Sequence, residues 1–293
     1  MANTTGYQPT TPDLQLISEF IAAALHEDVR GGDHTSLSTI PESAQNSARL
    51  LVKDYGILAG IEVAELIFEQ VDPRLTMHRL IEDGTEVKKG DIAFTVDGPA
   101  RSILTAERLV LNTMQRMSGC ATTTWQLAKL ISDLPTCLLD TRKTTPGFRY
   151  FEKWAVRIGG GHNHRYGLFD MIMIKDNHVD YAGGITKAIR AAQTYLREKE
   201  LNLAIEVEVR NFDELQEALQ AGGIQRIMLD NFSVENMRRG VEMVNKAFET
   251  EASGGITAET LRAYAETGVD FISVGALTHS YRSLDLSLKA ERK

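Results

Sequence analysis

AIEVEVRNFDELQEALQAGGIQRIMLDNFSVENMRRGVEMVNKAFETEASGGITAETLRAYAETGVDFISVGA, residues 204–276, is the stretch that decides the fold. Four short runs of strand length, AIEVEV, RIMLD, AFETEAS and FISVGA, alternate with three segments of helical periodicity, FDELQEALQAG, SVENMRRGVEMV and TAETLRAYAETG. Strand and helix alternating through short turns describe parallel β/α units. The pattern extends upstream through TCLLD (136–140), DMIMIK (170–175) and the helix ITKAIRAAQTYLREKEL (185–201). That number of units predicts an α/β barrel over an open sheet.

Before residue 120 the grammar is different. Leu14 to Leu25 has helical spacing, with Pro12 and Asp13 as start signals. Ser47 to Val52, Ile57 to Ala59 and Ile92 to Val96 read as short strands in a small α+β unit. Arg101 to Met117 is amphipathic, with Ile103, Val110, Met114 and Met117 in phase, and Gly119 is expected to break it. The implied division is 1–115 as one domain, with the tail 281–293 a candidate to pack with it, and 116–280 as the barrel.

Composition narrows the function classes. With 293 residues, 43% hydrophobic and 25% charged, the chain has the make-up of a globular protein and not of a disordered or membrane-embedded one. A net charge of -8 disfavours nucleic acid, whose binding begins with phosphate neutralisation. Cys120 and Cys137 are the two cysteines, without metal-like spacing, and are expected as reduced, buried thiols. The N-terminal MANTTGYQPTTPDLQL lacks a basic start and an apolar run, and no 18-residue apolar stretch occurs, so the expected location is cytoplasmic, with no membrane partner.

Chemistry gathers where the strands end. LLD runs into Thr141, Arg142 and Lys143; MIMI into Lys175; IMLD ends on Asp230; FETEAS opens into Ser253, Gly254 and Gly255; FISVG reaches Gly275. In a β/α barrel these ends share the face that carries the site. Glu206 and Glu208, two apart on one strand, point the same way and need cations, for which Lys143 and Lys175 are available. Residues 141–165 hold six Lys or Arg against one Glu, a local +5 that leaves -13 on the rest. Such an island suits capture of a small polyanion. Arg149, Lys153 and Arg157 fit a solvated helix face, whereas Arg142 with Lys143 and His164 with Arg165 read as binding groups. SGGIT (253–257) joins strand to helix and offers backbone N–H groups to a phosphate. GGG at Gly159 to Gly161 has neither dinucleotide-fold nor P-loop spacing.

At these residues the sequence resembles the quinolinate phosphoribosyltransferases. EDVRGGDHTS (27–36), ERLVLNTMQRMSGCAT (107–122), DTRKTTPGFR (140–149), GGGHNHRYGLFDMIMIKDNH (159–178), EVEV (206–209), MLDNF (228–232), EASGGI (251–256) and SVGALTHS (273–280) carry the likeness. The resemblance implies an α/β fold, with an N-terminal α/β sandwich joined to an incomplete, about seven-stranded β/α barrel. It implies transfer of phosphoribosyl from phosphoribosyl pyrophosphate to quinolinate with decarboxylation, with Mg²⁺ as cofactor. It also implies a homodimer or higher even oligomer. By motif, Arg142, His164, Arg165 and Lys175 would bind quinolinate, with Arg108 supplied across the subunit interface. Lys143, Glu208 and Asp230 would face ribose, pyrophosphate and its magnesium, and Ser253, Gly255 and Gly275 the 5'-phosphate. The metal-orienting carboxylate stays open between Glu206 and Glu208.

Other readings are a sister phosphoribosyltransferase with a nicotinate-like acceptor or linked to molybdenum transport, and a Schiff-base aldolase using Lys175. A third takes EDGTEVKKGDIAFTVDGPA (82–100) for a carrier-like sandwich, but it lacks the lysine turn of a carrier. His34 and His279 are expected in loops, and Asp176, Asn177 and His178 stay unassigned.

Overall fold

The computed structural model describes residues 13–291. Pro12 and MANTTGYQPTTP lie outside the described residues. In chain order the elements begin α1 (Leu14–Asp28), α2 (His34–Thr39), β1 (Gln45–Val52), β2 (Gly56–Ile57), α3 (Ile61–Val71), β3 (Thr76–Arg79), β4 (Glu86–Val87), β5 (Ile92–Pro99) and α4 (Ala100–Lys129). Then come β6 (Cys137–Leu139), α5 (Arg149–Ile158), β7 (Ile172–Ile174), α6 (Asp176–Ala182), α7 (Ile185–Glu198), β8 (Ile205–Val209) and α8 (Phe212–Ala221). The chain closes with β9 (Arg226–Asp230), α9 (Val234–Val244), β10 (Glu249–Ser253), α10 (Ala258–Ala265), β11 (Phe271–Ser273), α11 (Ala276–His279) and β12 (Leu286–Ala290). Two compact units result. One gathers 13–125, 145–160 and 280–291 of the described residues, and the other 126–144 and 161–279.

The first unit is built on an antiparallel sheet in the order β12-β1-β5-β3, so the last strand of the chain pairs with the first. Asp13 caps α1 by accepting the Leu16 N–H at 3.1 Å, and Ile17 and Ile21 are buried one turn apart. Residues 145–160 belong here through aromatic packing: Phe151 lies 4.5 Å from Phe20 and 5.0 Å from Phe148, centroid to centroid. Glu152, fully buried, accepts the Thr145 N–H (2.9 Å), the Thr145 hydroxyl (2.8 Å) and the Tyr281 hydroxyl (3.1 Å). Lys153, expected on a solvated face, is 3% exposed, because packing of both sides of α5 leaves it no open face. His34 and His279 fall in the short helices α2 and α11, not in loops.

Gly119 does not break a helix. The helix α4 runs through it for 30 residues, and the glycine is there because a Cβ would collide with the Arg282 carbonyl. The propensity cost of a helical glycine, about 1 kcal/mol, is smaller than the cost of that overlap. Gly60, at φ +99°, precedes α3, whose Ile61 N–H is taken by Asp83 Oδ1 at 2.9 Å. The residue is partly exposed but its Oδ2 is sealed and unpartnered. Burial pushes the Asp83 carboxyl up to about 6, against the backbone hydrogen bonds that lower it.

A raised acid gives stability that is full below its unfolded value, near 4, and is lost once pH has risen through about 6. Urea melts between pH 4 and 8 should therefore show a decline on the order of 2–3 kcal/mol across that window. Asp83→Asn, neutral throughout, should flatten it, and an unchanged slope in the variant would remove Asp83 as the cause.

The second unit is the parallel sheet β6-β11-β10-β9-β8-β7, with α8, α9 and α10 linking successive strands from β8 to β11. All five residues of β8 are buried, as a strand covered on both faces requires. Among the described residues there are six strands, not seven. In the seventh place stands a single parallel bridge, Leu139 to His162, so the barrel is incomplete. Register aligns Met173, Glu206, Arg226 and Glu249 across β7 to β10, and Glu208 with Met228 and Glu251. Because faces alternate along a strand, Lys175, Glu208, Asp230, Ser253 and Gly275 follow at the carboxyl ends.

Candidate functional site

Beyond the Leu139–His162 bridge the ladder stops and side chains take over. Asp140, fully buried, accepts the His164 N–H at 2.8 Å and the Asn163 amide at 2.6 Å. One buried carboxylate thus fixes two cationic segments side by side, 141–143 and 164–165. They open on a cavity of about 330 Å³ lined by Thr141, Arg142, Lys143, His164, Arg165, Met173, Lys175, Met228, Glu251, Ser253 and Ser273. Those residues come from five strand ends and the 162–165 segment.

The electrostatics ask for an anion. Arg142 Nε is buried without a partner. Arg165 is buried, which with the charge of Arg142 lowers its proton affinity, yet a guanidinium stays charged at any working pH. Two like charges held together in a half-enclosed cavity are stable only with a counter-charge between them. Lys175 stands opposite, its Nζ 3.1 Å from Glu208 Oε2 and its N–H on His178 Nδ1 at 2.9 Å. His178 is thus a cap that orients the lysine. An ion-paired ammonium is not the neutral amine of Schiff-base chemistry.

Lys143 is anchored at both ends of its peptide: its N–H donates to the Thr141 hydroxyl (3.0 Å) and its carbonyl accepts from Thr278 (2.9 Å). Its stem passes Gly275, where a Cβ would stand 3.1 Å from Lys143 Cδ. Gly254 and Gly255 have φ of +99° and +62°, and among the described residues no backbone carbonyl accepts from Gly254, Gly255 or Gly275. Such turned amides ahead of a helix form an anion nest. Asp230 lies opposite Ser253 in register, partly exposed, accepting from the Asn231 amide at 2.6 Å.

Beneath the cavity lies a charge cluster. His164 Nε2 is 3.0 Å from Glu206 and 3.4 Å from Glu251; Arg226 bridges Glu251 (3.0 Å) and Glu249 (3.0 Å) and stacks on Phe271. His164 Nδ1 accepts the Arg165 N–H at 2.7 Å, which leaves Nε2 as the protonated nitrogen. Burial works against a second proton on the ring, and the two carboxylates favour one. The amide on Nδ1 opposes that proton, so we read the ring as Nε2–H facing the carboxylates. Burial, then the charge of Glu251, pushes Glu206 above the ordinary carboxylate range. Burial would raise Glu251 too, but its environment, including the Arg226 guanidinium at 3.0 Å, holds it below the ordinary carboxylate range.

His164, Glu206 and Glu251 place three ligand atoms within 4.8 Å of one another. A divalent ion there would have to displace the Nε2 proton and the ion pair of Glu251 with Arg226, so the trio belongs to a buried polar network closed by Arg226. Glu208 and Asp230 stand toward the carboxyl ends of the adjacent strands β8 and β9, and are carboxylates that could face a hard cation there.

Of the residues singled out in the sequence, Arg142, Lys143, His164, Arg165, Lys175 and Ser253 line one cavity. Glu208 joins them through Lys175, and Gly275 through Lys143. Asp230 and Gly255 lie at the ends of β9 and β10, and Glu206 sits below with no exposure. Arg108 lies on α4 in the other unit, where it lines a separate cavity of about 280 Å³ with Glu27, Asp28 and Arg116. Glu251 was missed, although Glu249 and Glu251 repeat the spacing of Glu206 and Glu208. Of the two cysteines only Cys120 is buried; Cys137, at the start of β6, is partly exposed. Among the described residues no helix is long and apolar enough to cross a membrane.

Residues 33–118 match the family described as quinolinate phosphoribosyl transferase, N-terminal domain, and 120–289 its C-terminal domain. A chloroplastic nicotinate-nucleotide pyrophosphorylase (carboxylating) of Arabidopsis thaliana is 47% identical over 303 residues, covering 98% of this chain and 86% of its own. A probable nicotinate-nucleotide pyrophosphorylase (carboxylating) of Bacillus subtilis is 42% identical, covering 89% of each chain. The solved structure of the nicotinate-nucleotide pyrophosphorylase from Francisella tularensis superposes with a TM-score of 0.90 at 41% identity, covering 97% of this chain and 99% of that one.

Proposed function

Because the chain belongs to the quinolinate phosphoribosyltransferase family, we propose that it transfers phosphoribosyl from phosphoribosyl pyrophosphate to quinolinate. The products are nicotinate mononucleotide, pyrophosphate and CO₂, a step of NAD biosynthesis. The observation that carries this reading is the orphaned Arg142 Nε beside Arg165 in a cavity faced by Lys175. Quinolinate bears two carboxylates next to a ring nitrogen, and two guanidiniums with an ammonium are what a rigid dianion needs.

Arg142, His164, Arg165 and Lys175 orient the ring so that its nitrogen faces the anomeric carbon of the ribose. The C–N bond forms as the bond to pyrophosphate breaks, through a carbon with oxocarbenium character. Lys143 neutralises the departing oxygens, and Ser253, Gly255 and Gly275 hold the 5'-phosphate. Glu208 and Asp230 would hold Mg²⁺ through the pyrophosphate; the ion supplies charge neutralisation to the leaving group. When the adjacent carboxylate leaves as CO₂, the electron pair of the broken C–C bond stays on the ring carbon, stabilised by the cationic nitrogen beside it, and that carbon then takes a proton.

Purified protein with quinolinate, phosphoribosyl pyrophosphate and Mg²⁺ should form nicotinate mononucleotide, and nicotinate in place of quinolinate should give almost none. Equal rates with the two acids would discard the substrate assignment.

The working form we propose is a homodimer or higher even oligomer in which Arg108 completes the partner's site. Arg108→Ala and Lys143→Ala should each be inactive alone. Mixed by co-expression, they should recover about a quarter of wild-type activity, since half the dimers carry one intact site. No recovery would place each site within one chain. The cytoplasm is the proposed compartment; fractionation of source cells tests it, the Arabidopsis relative being named chloroplastic.

A further inference from the structure

The chain of contacts under the cavity runs in one direction. Phe271 on β11 supports the Arg226 guanidinium at 3.9 Å; Arg226 on β9 holds Glu251 Oε2 at 3.0 Å; Glu251 on β10 faces His164 Nε2 at 3.4 Å; and His164 Nδ1 receives the Arg165 N–H at 2.7 Å. Of the acidic members only Glu251 also lines the cavity. We propose that Glu251 is a positioning residue for the acceptor pocket: facing Nε2 together with Glu206, which stands nearer at 3.0 Å, it holds the ring plane and the tautomer that the Arg165 N–H selects, and through Nδ1 the backbone that aims Arg165.

The proposal rests on the quinolinate reading of this cavity. A carboxylate inside an anion pocket repels its ligand and would be a defect unless it oriented something the ligand needs. Buried ion-pair networks seldom raise stability over apolar packing of the same volume, so stability does not account for it. A ring nitrogen that must bear the proton is set by what the other nitrogen and its partners accept.

Glu251→Gln keeps the shape and removes the charge. Calorimetric titration should show quinolinate affinity falling about tenfold or more, with phosphoribosyl pyrophosphate affinity within about threefold of wild type. In a His164→Ala background the same change should cost less than about twofold, since the effect travels through the imidazole. Additive losses, or equal weakening of both substrates, would overturn the proposal and leave a structural role.

A second measurement needs no substrate. In ¹⁵N-histidine spectra of the unliganded protein, one of seven imidazoles, the one lost in His164→Ala, should show a protonated Nε2 and a bare Nδ1. Glu251→Gln should shift or average that pattern, and an unchanged pattern overturns the proposal. If Glu251→Gln does not fold, Glu251→Asp, which keeps the charge but draws it back, is read in the same two ways with an intermediate loss. Wild-type protein that fails to bind quinolinate overturns the substrate reading, and the tautomer comparison still decides whether Glu251 sets His164.

Discussion

Arg142→Ala should lower kcat/KM for quinolinate by about 10²–10³-fold while leaving the thermal midpoint at or slightly above that of the wild type. The first half follows from what the side chain lacks: its Nε is buried with no acceptor, so its binding partner is expected from outside the protein. Truncating one side of a desolvated, charge-assisted pair costs about 3–5 kcal/mol, and each 1.4 kcal/mol is roughly a factor of ten. The second half follows from Arg165, whose proton affinity burial and then Arg142 depress. Removing one of two confined guanidiniums relieves that repulsion, a common trade of stability for function. Arg142→Lys restores charge without the planar fork and should recover activity only in part. Steady-state kinetics and thermal melts on the same preparations decide it; a large drop in midpoint for Arg142→Ala would make the residue structural.

The parts of this molecule legible in the sequence are those governed by local periodicity. Strands β6 to β11 fall on the runs read from alternation, and the cations after β6 and β7 stand where strand ends place them. What escaped depends on contacts distant in sequence. Gly119 looks like a helix stop because its constraint, the Arg282 carbonyl, lies more than 160 residues away. Lys153 looks solvated because α5 is amphipathic, and its burial comes from neighbours that no helical period encodes. Glu251 sits in FETEAS, a run read as a strand whose glutamates carry no sign, in the sequence alone, of which face they take. Only the register of β10 against β9 turns Glu251 inward toward Arg226. The incomplete, about seven-stranded barrel has six laddered strands for the same reason: residues 162–165 are held by the Asp140 side chain and a single bridge, not by a strand ladder.

Gly254→Ala should cripple the phosphoribosyl side of the reaction while sparing the other. At φ +99° an L-residue is already strained, and its Cβ would overlap the Asn231 side chain and stand 3.0 Å from the Asn231 backbone nitrogen. Asn231 cannot retreat cheaply, since its own φ is +56° and its N–H donates to the Ser253 carbonyl at 2.9 Å. The two loops are interlocked, so the alanine must displace Ser253 and Asp230 together. Backbone strain of about 1–2 kcal/mol and overpacking of about 1–3 kcal/mol add at one site. The expected result is a fall of about 10²-fold in affinity for phosphoribosyl pyrophosphate, a midpoint lowered by several degrees, and quinolinate affinity within about threefold. Gly255→Ala is the control for strain alone: at φ +62° its Cβ meets nothing within 4 Å, so its stability cost should stay near about 1 kcal/mol. Melting curves and titrations with each substrate separate the two variants. Equal midpoints and equal phosphoribosyl pyrophosphate affinities for both would mean that the interlocking of 230–231 with 253–255 is not what shapes the phosphate site.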